Sequence, residues 1–359
     1  MMQPTLLDKG LSESVLTVGE FFLKEKHGGI ASVLRSYSNL FPEFKFIPSF
    51  RSDSFTDKIK YDLGSLFRLG WKLLCDKKIR IVHIHTAAGG SFTKHIHYAR
   101  LARIMNRKVI IHCHASSFKD WYESLNAHKA KRIVTFINST DRFVVLSESW
   151  MDYFESIGVS PSILKTINNI TPFPISCRGT KSPAGAAPRL LFLGEIGPRK
   201  GVFDLLEAIT RVKCRATLDI GGNKMEQELL SRIKELGIED RVRFHGFVSG
   251  QEKLELLAGA DVFVLPSYNE GLPISILEAM SYGCAIISTT VGGIPAIVSG
   301  NGILVPPGDI EALASAIDKM DERESRLKMG EISRETVKAY YPDAVMASLG
   351  ELYKDLLDN

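Results

Sequence analysis

Short β-branched or apolar runs alternate with amphipathic stretches along the whole chain, and this rhythm limits the fold more than any other feature. Strands are predicted at 14–18, 79–84, 108–112 and 142–146, then at 189–194, 216–220, 242–245, 262–266 and 285–289. Helices are predicted at 30–40, 65–76, 91–106 and 148–156, then at 202–212, 226–236, 251–258, 274–282 and 310–319, with a last helical segment at 340–357. Such alternation implies parallel sheets covered by helices on both faces. The runs Arg-Leu-Leu-Phe-Leu-Gly (189–194) and Asp-Val-Phe-Val-Leu-Pro (261–266) are nearly continuous in apolar character, as doubly covered central strands require.

The chain has 359 residues, enough for two domains at about 150 residues each. The segment 171–188 holds four prolines and two glycines between the two periodic regions, and it reads as a hinge or linker. Two α/β domains so joined are expected to hold a ligand in a cleft at the carboxyl ends of their strands. No apolar run approaches the roughly 18–20 residues of a membrane span. The first ten residues lack an apolar core region and do not read as a signal peptide. The five cysteines are scattered without a C-x-x-C pair, which points to reduced thiols in a cytoplasm and away from disulfides or a cysteine zinc site. The net charge of +4 hides an asymmetry: residues 1–178 carry 25 Lys/Arg against 15 Asp/Glu, and the remainder carries 20 against 26. The basic half could meet phosphates or an anionic lipid surface, or its charge could be a scatter of solvated lysines. No stacking motif is interleaved with it, so nucleic acid is not an expected partner.

Three loops carry candidate chemistry. Residues 266–280 read Pro-Ser-Tyr-Asn-Glu-Gly-Leu-Pro-Ile-Ser-Ile-Leu-Glu-Ala-Met. A buried strand ends at Pro266, Gly271 frees the loop, and Pro273 suits a first helical position. The N–H groups of that helix start can hold an anion. Glu270 in the loop and Glu278 two turns along are spaced to accept paired hydroxyls on either side of a pyrophosphate; alone, they would pass for a loop charge and a solvated helix residue. In Gly-Glu-Ile-Gly-Pro-Arg-Lys-Gly (194–201), Arg199 and Lys200 stand just before a helix start, a placement that an arriving anion would favour. In His-Gly-Gly-Ile (27–30), Gly28 and Gly29 let backbone approach a phosphate or sugar closely, or make a plain turn.

Taken together these elements resemble the retaining nucleotide-sugar glycosyltransferases of family 4. Glu270 and Glu278 match the family's Glu-x7-Glu, and Lys200–Gly201 its strand–loop–Lys-Gly element. Phe-His-Gly-Phe-Val (244–248), Val-Gly-Gly-Ile-Pro (291–295) and Gly-Ile-Leu-Val-Pro-Pro-Gly-Asp (302–309) follow in the family's order. The N-terminal half matches more loosely, through Gly28–Gly29 and His-Cys-His at 112–114. The resemblance implies the α/β GT-B fold: two Rossmann-like domains whose parallel sheets face each other across a cleft. It divides the chain into an acceptor domain (1–172), a hinge (173–188), a donor domain (189–339) and a C-terminal helix (340–359) that packs back on the first domain.

It further implies that Glu270 meets the donor sugar, Glu278 the ribose and Lys200 the pyrophosphate, with Arg199 beside it. Gly271 and the backbone N–H groups of Leu272 and Ile274 would hold the phosphate or sugar. Phe247 and Val248 would meet the base, Gly28 and Gly29 would approach the pyrophosphate, and His114 would sit near the anomeric carbon. The implied reaction is transfer of a sugar, with retention, from a nucleotide-sugar to a glycan or lipid-linked glycan, in bacterial cell-surface polysaccharide synthesis. A UDP-sugar is expected ahead of a GDP-sugar, and neither metal nor cofactor is required. The chain departs from the family at Glu195, where an Arg is common, and at Ala296, where a Glu is. A nucleotide-sugar epimerase and a non-catalytic sugar-nucleotide-binding protein are the alternatives; free epimerised donor would mark the first, and binding without turnover the second.

His83, His85, His95, His97, His112 and His114 form three His-x-His pairs. On a strand, both members of a pair share a face. With no carboxylate or Cys at ligand spacing, a polar rim at strand ends is expected, not a metal site. His85 and the 86–91 loop could shape the acceptor side. Phe21, Phe22, Trp71 and Trp121 are core or membrane-facing candidates. The amphipathic stretch 61–80, with Lys72, Lys77, Lys78 and Arg80, reads as a solvated helix, with a peripheral position on an anionic inner membrane face as the alternative.

Overall fold

A computed structural model describes residues 6–20, 29–50, 55–175, 181–183 and 185–358. Phe21, Phe22, His27 and Gly28 lie outside them. The chain forms two compact units, one of residues 2–170 with 342–359 and one of residues 171–341.

In the first unit, strands β1 (Val15–Glu20), β2 (Lys45–Phe50), β3 (Ile81–Thr86), β4 (Lys108–Cys113), β5 (Arg142–Val145) and β6 (Leu164–Thr166) make a sheet of order β2-β1-β3-β4-β5-β6. Every pairing is parallel. All six residues of β3 are buried, as a strand covered on both faces must be. Leu16, Val18, Val82, Ile84, Val109, Ile111 and Phe143 contribute to one apolar core with Leu69, Leu73, Phe92 and Tyr98 from the covering helices. The final helix, Pro342–Asp358, belongs to this unit. Its Tyr353 hydroxyl lies 2.7 Å from His83 Nδ1, Arg142 pairs with its Asp355, and Arg80 Nη2 donates to Leu357 O at 2.7 Å.

In the second unit, β7 (Arg189–Leu193), β8 (Thr217–Gly221), β9 (Val242–Phe244), β10 (Val262–Leu265), β11 (Ala285–Thr289) and β12 (Gly302–Val305) are ordered β12-β11-β10-β7-β8-β9, again all parallel. Strand order reverses between β7 and β10, so the loops leaving these neighbours diverge and open a crevice at their carboxyl ends. Those two loops are 194–201 and 266–273.

The expected elements are present, with shifts at their ends. The 65–76 helix begins ten residues earlier, as Phe55–Cys75, and β2, β6 and β12 were not foreseen. All three are edge strands. An edge strand needs no doubly apolar run and tolerates proline, which is why Pro48 can sit inside β2.

Candidate functional site

Gly201 closes the loop after β7. Its φ is +67°, and a Cβ there would lie 2.0 Å from Pro266 O, so only glycine lets this loop lie against the one after β10. A short turn, Pro198–Lys200, precedes it, and the next helix is Val202–Arg211. From this turn Lys200 reaches across and pairs with Glu270, whose Oε1 also accepts from Ser267 Oγ at 2.7 Å. Both charged side chains are largely buried. Arg199 Nη1 donates to Asn269 O at 3.2 Å, and Tyr268 N donates to Arg199 O at 2.9 Å. The two cations are therefore not left bare at a helix start: Lys200 is neutralised by the very carboxylate that the sequence singles out.

The β10 loop is set by further contacts. Thr289 Oγ1 donates to Ser267 O at 2.6 Å, and Gly293 N donates to Gly271 O at 2.7 Å. Gly292, at φ +56°, leaves no room for a Cβ, which would lie 1.7 Å from Glu270 O. The glycine demanded by backbone conformation is thus Gly292, whereas Gly271 is absent from the positive-φ glycines. Leu272 is buried in the same loop. Pro273 is the N-cap of the Ile274–Ser281 helix, one position earlier than expected, with φ −73° and ψ 116°. Ile274 opens the first turn, in which Ile276 N donates to Pro273 O at 3.2 Å, while the N–H groups of Ile274 and Ser275 lie ahead of the helix's own ladder. Glu278 lies on this helix as a partly buried residue, not a solvated one, and its Oε1 is 2.6 Å from Lys253 Nζ. This pair helps line a mainly apolar cavity of about 190 Å³, with Pro172, Phe173, Leu257 and Tyr282.

Beside these loops, Phe247 is exposed and Val248 buried, the valine using space that a Cβ on Gly221 would fill at 2.6 Å. Glu195 pairs with Lys224 at 2.7 Å, and Lys224 holds φ +94°, unusual for a side-chain-bearing residue. Ile196 N donates to Asn223 O at 2.8 Å, pinning the loops after β7 and β8 together. The negative charge at 195 is thus met by a cation that sequence spacing did not reveal. Lys253 and Lys224 give no sequence signal, because each meets its partner only through the sheet's topology, whereas Ser267 meets Glu270 locally, three residues along the same loop.

The first unit's histidines depart from the expected rim. His83, His85 and His112 are fully buried, and His114, the residue after β4, is partly so. Their rings stack, with centroids 4.4 Å apart for His83–His85 and 4.2 Å for His112–His114. Burial pushes His83 and His114 down to about 3 and His85 and His112 well below their ordinary range, so all four are neutral at pH 7. The third pair lies on the Gly90–Ile104 helix, where alternate residues do not share a face: His97 is exposed, while His95 is buried and bonded to Thr86 Oγ1 at 2.9 Å and Ser49 Oγ at 2.8 Å. Ring nitrogens of His83, His85 and His112 come within 4.8 Å of one another. Chelation needs in-plane lone pairs aimed at one point, which stacked rings do not provide, and His83 Nε2 is already 3.3 Å from His112 Nδ1.

His85 Nδ1 lies 2.9 Å from His114 Nε2, while His85 Nε2 is buried with no partner. A buried N–H without an acceptor costs more than a buried lone pair without a donor. His85 is therefore assigned its proton on Nδ1, donating to His114 Nε2. This leaves His114 protonated on Nδ1, a neutral hydrogen-bond donor. Gly29 begins the Gly29–Leu40 helix, and a Cβ there would meet nothing within 4 Å, so packing does not explain this glycine.

Two family profiles match in sequence order: Glycosyltransferase Family 4 over residues 34–171 and Glycosyl transferases group 1 over residues 187–322. A putative colanic acid biosynthesis glycosyltransferase of Salmonella typhimurium is 28% identical over 190 residues, 49% of this chain and 47% of that protein. The O-antigen chain mannosyltransferase B of Escherichia coli is 32% identical over 133 residues, 35% of each chain. The matched stretches thus span about half or less of these curated relatives. A sucrose-phosphate synthase from Thermosynechococcus elongatus superposes with a TM-score of 0.75 at 19% identity, over 96% of this chain and 99% of that one. HepE of Anabaena, solved in complex with UDP-glucose, gives 0.70 at 17% identity over the same shares. These likenesses show the GT-B fold. With both profiles in order on the two sheets of that fold, the chain belongs to the family 4 glycosyltransferases.

Proposed function

We propose that this chain is a retaining glycosyltransferase that moves a sugar from a nucleotide-sugar, a UDP-sugar before a GDP-sugar, to a glycan or lipid-linked glycan of a bacterial cell surface. The observation that carries this reading is the buried Lys200–Glu270 pair at the strand-order switch of the second sheet. In the free site each charge satisfies the other. A diphosphate offers Lys200 a better partner, with Arg199 and the first turn of the Ile274–Ser281 helix adding positive potential. Glu270, released, can then accept sugar hydroxyls, and Glu278 those of the ribose. Phe247 offers an exposed ring to the base, beside Val248.

In this reading the bond from the anomeric carbon to the donor phosphate oxygen breaks, and the bond to the acceptor oxygen forms on the same face. The acceptor's proton passes to the departing phosphate. Protein cations and helix N–H groups stabilise the leaving diphosphate, so no metal or cofactor is invoked. His114, neutral and protonated on Nδ1, donates a hydrogen bond to the transferred sugar and does not act as a base. Gly28 and Gly29 are proposed for close backbone approach to the diphosphate.

The test is thermal stabilisation by UDP, UDP-sugars and GDP-sugars, since a ligand that binds only folded protein raises its Tm. A shift with one nucleotide class that is lost in Lys200→Ala supports the reading, and the anomeric configuration of the product then tests retention. A folded protein that no nucleotide stabilises refutes it.

A further inference from the structure

The Phe55–Cys75 helix is apolar on two opposite faces. Ser65, Leu69 and Leu73 are fully buried toward the sheet. At about 100° per residue, Leu63, Phe67, Trp71 and Leu74 fall within one narrow arc on the far side. They are 64, 74, 62 and 56% exposed. Ile104, at the end of the Gly90–Ile104 helix, is 79% exposed. Arg107 just beyond it donates Nη2 to Leu73 O at 3.0 Å, so the two helix ends adjoin. Single exposed apolar side chains are ordinary, but an aligned row of large ones marks a contact surface.

The charge around this row says what covers it. Residues 61–80 and 100–108 carry nine Lys/Arg against two Asp. Both acids are already paired, Asp62 with Lys94 at 3.5 Å and Asp76 with Lys45 at 2.8 Å. Arg68, Lys72, Lys77, Arg100 and Arg103 are exposed. A second copy placed face to face would set these cations against their own kind. No described helix is long and apolar enough to cross a membrane. We propose that this face docks on an anionic bilayer surface. The apolar row enters the headgroup boundary with Trp71 at the interface, and the flanking cations meet lipid phosphates. The proposal goes beyond the transfer reaction and stands without it.

The experiment is co-sedimentation of the full chain with vesicles of phosphatidylcholine mixed with phosphatidylglycerol, and of phosphatidylcholine alone. The wild type should partition onto the mixed vesicles, about tenfold more weakly onto the neutral ones, and less as salt rises. Phe67→Glu/Trp71→Glu should lower partitioning by about tenfold or more, and Lys72→Gln/Arg103→Gln should erase most of the preference for anionic lipid. Because all four side chains are exposed, both variants should keep the wild-type Tm. Absence of wild-type binding to the mixed vesicles overturns the proposal, as does binding that survives Phe67→Glu/Trp71→Glu. A vesicle-free dimer that this variant turns into a monomer also overturns it, since a second copy then covers the face.

Discussion

Lowering the pH from 7 to 5.5 should destabilise the first unit while sparing the second. His83, His95 and His114 are held down to about 3 by burial, and His85 and His112 are held well below their usual range for the same reason. The native state keeps these rings neutral throughout the window, whereas the unfolded chain protonates them as pH falls through about 6.5. The unfolded state then binds more protons, so stability must fall with pH. Between pH 7 and 5.5 each such histidine costs about 1.2 kcal/mol, so the three with values near 3 cost about 4 kcal/mol and all five about 6. Carboxylates titrate lower and contribute little in this window. The assay is built into the sequence. Trp71, Trp121 and Trp150 all lie in the first unit, which also holds every histidine except His245. Urea unfolding followed by tryptophan fluorescence should lose about 2 M in midpoint, taking a slope of about 2–3 kcal/mol/M. A fluorescence midpoint that stays constant from pH 7 to 5.5 would refute the claim that the imidazole stack is buried and neutral.

Lys200→Met strands a buried carboxylate and should cost about 3–5 kcal/mol, and adding Glu270→Leu should recover much of that; equal circular dichroism midpoints for the single and double variants would rule out the coupling. Gly201→Ala, with its Cβ 2.0 Å from Pro266 O, should cost upward of about 2 kcal/mol and abolish nucleotide-dependent stabilisation. Phe247→Ala should leave stability within about 0.5 kcal/mol but weaken UDP by about five- to a hundredfold, as loss of one base stack does; unchanged affinity would place the base elsewhere. Nitrogen-15 spectra of histidine-labelled protein should show His114 protonated at Nδ1, and this should persist in His85→Asn, whose amide replaces the Nδ1 donor; an Nε2-protonated His114 would contradict the assignment.

The central strands were legible because a doubly covered strand must be nearly all apolar, as in Val262–Leu265 and Arg189–Leu193. Three of the four edge strands were not, since Lys45–Phe50 has a proline, Leu164–Thr166 only three residues and Gly302–Val305 a glycine start, whereas the edge strand Val242–Phe244 was foreseen. The Arg323–Thr336 helix escaped for a related reason: it is strongly polar and lacks a wide apolar stripe. Glu270, Glu278 and Lys200 could be named because local spacing exposes them. Their partners could not, because Lys253 lies 25 residues from Glu278 and Glu270 lies 70 from Lys200. The histidines misled because the pattern His-x-His fixes a shared face but not whether that face meets water or a covering helix. Here the covering residues include Tyr353, 270 positions from His83.

That last contact bears on the order in which the molecule can be made. The first unit takes its closing helix from residues 342–358, beyond the whole second unit, so its sheet is synthesised long before the residue that satisfies His83. At about 5–20 residues per second, roughly ten to forty seconds separate Ile170 from Asp358 on the ribosome. During that interval the second unit, continuous in sequence, can complete its own fold. The first-born half is therefore the last to be finished, and it waits with a row of imidazoles uncovered until residues 342–358 have been made.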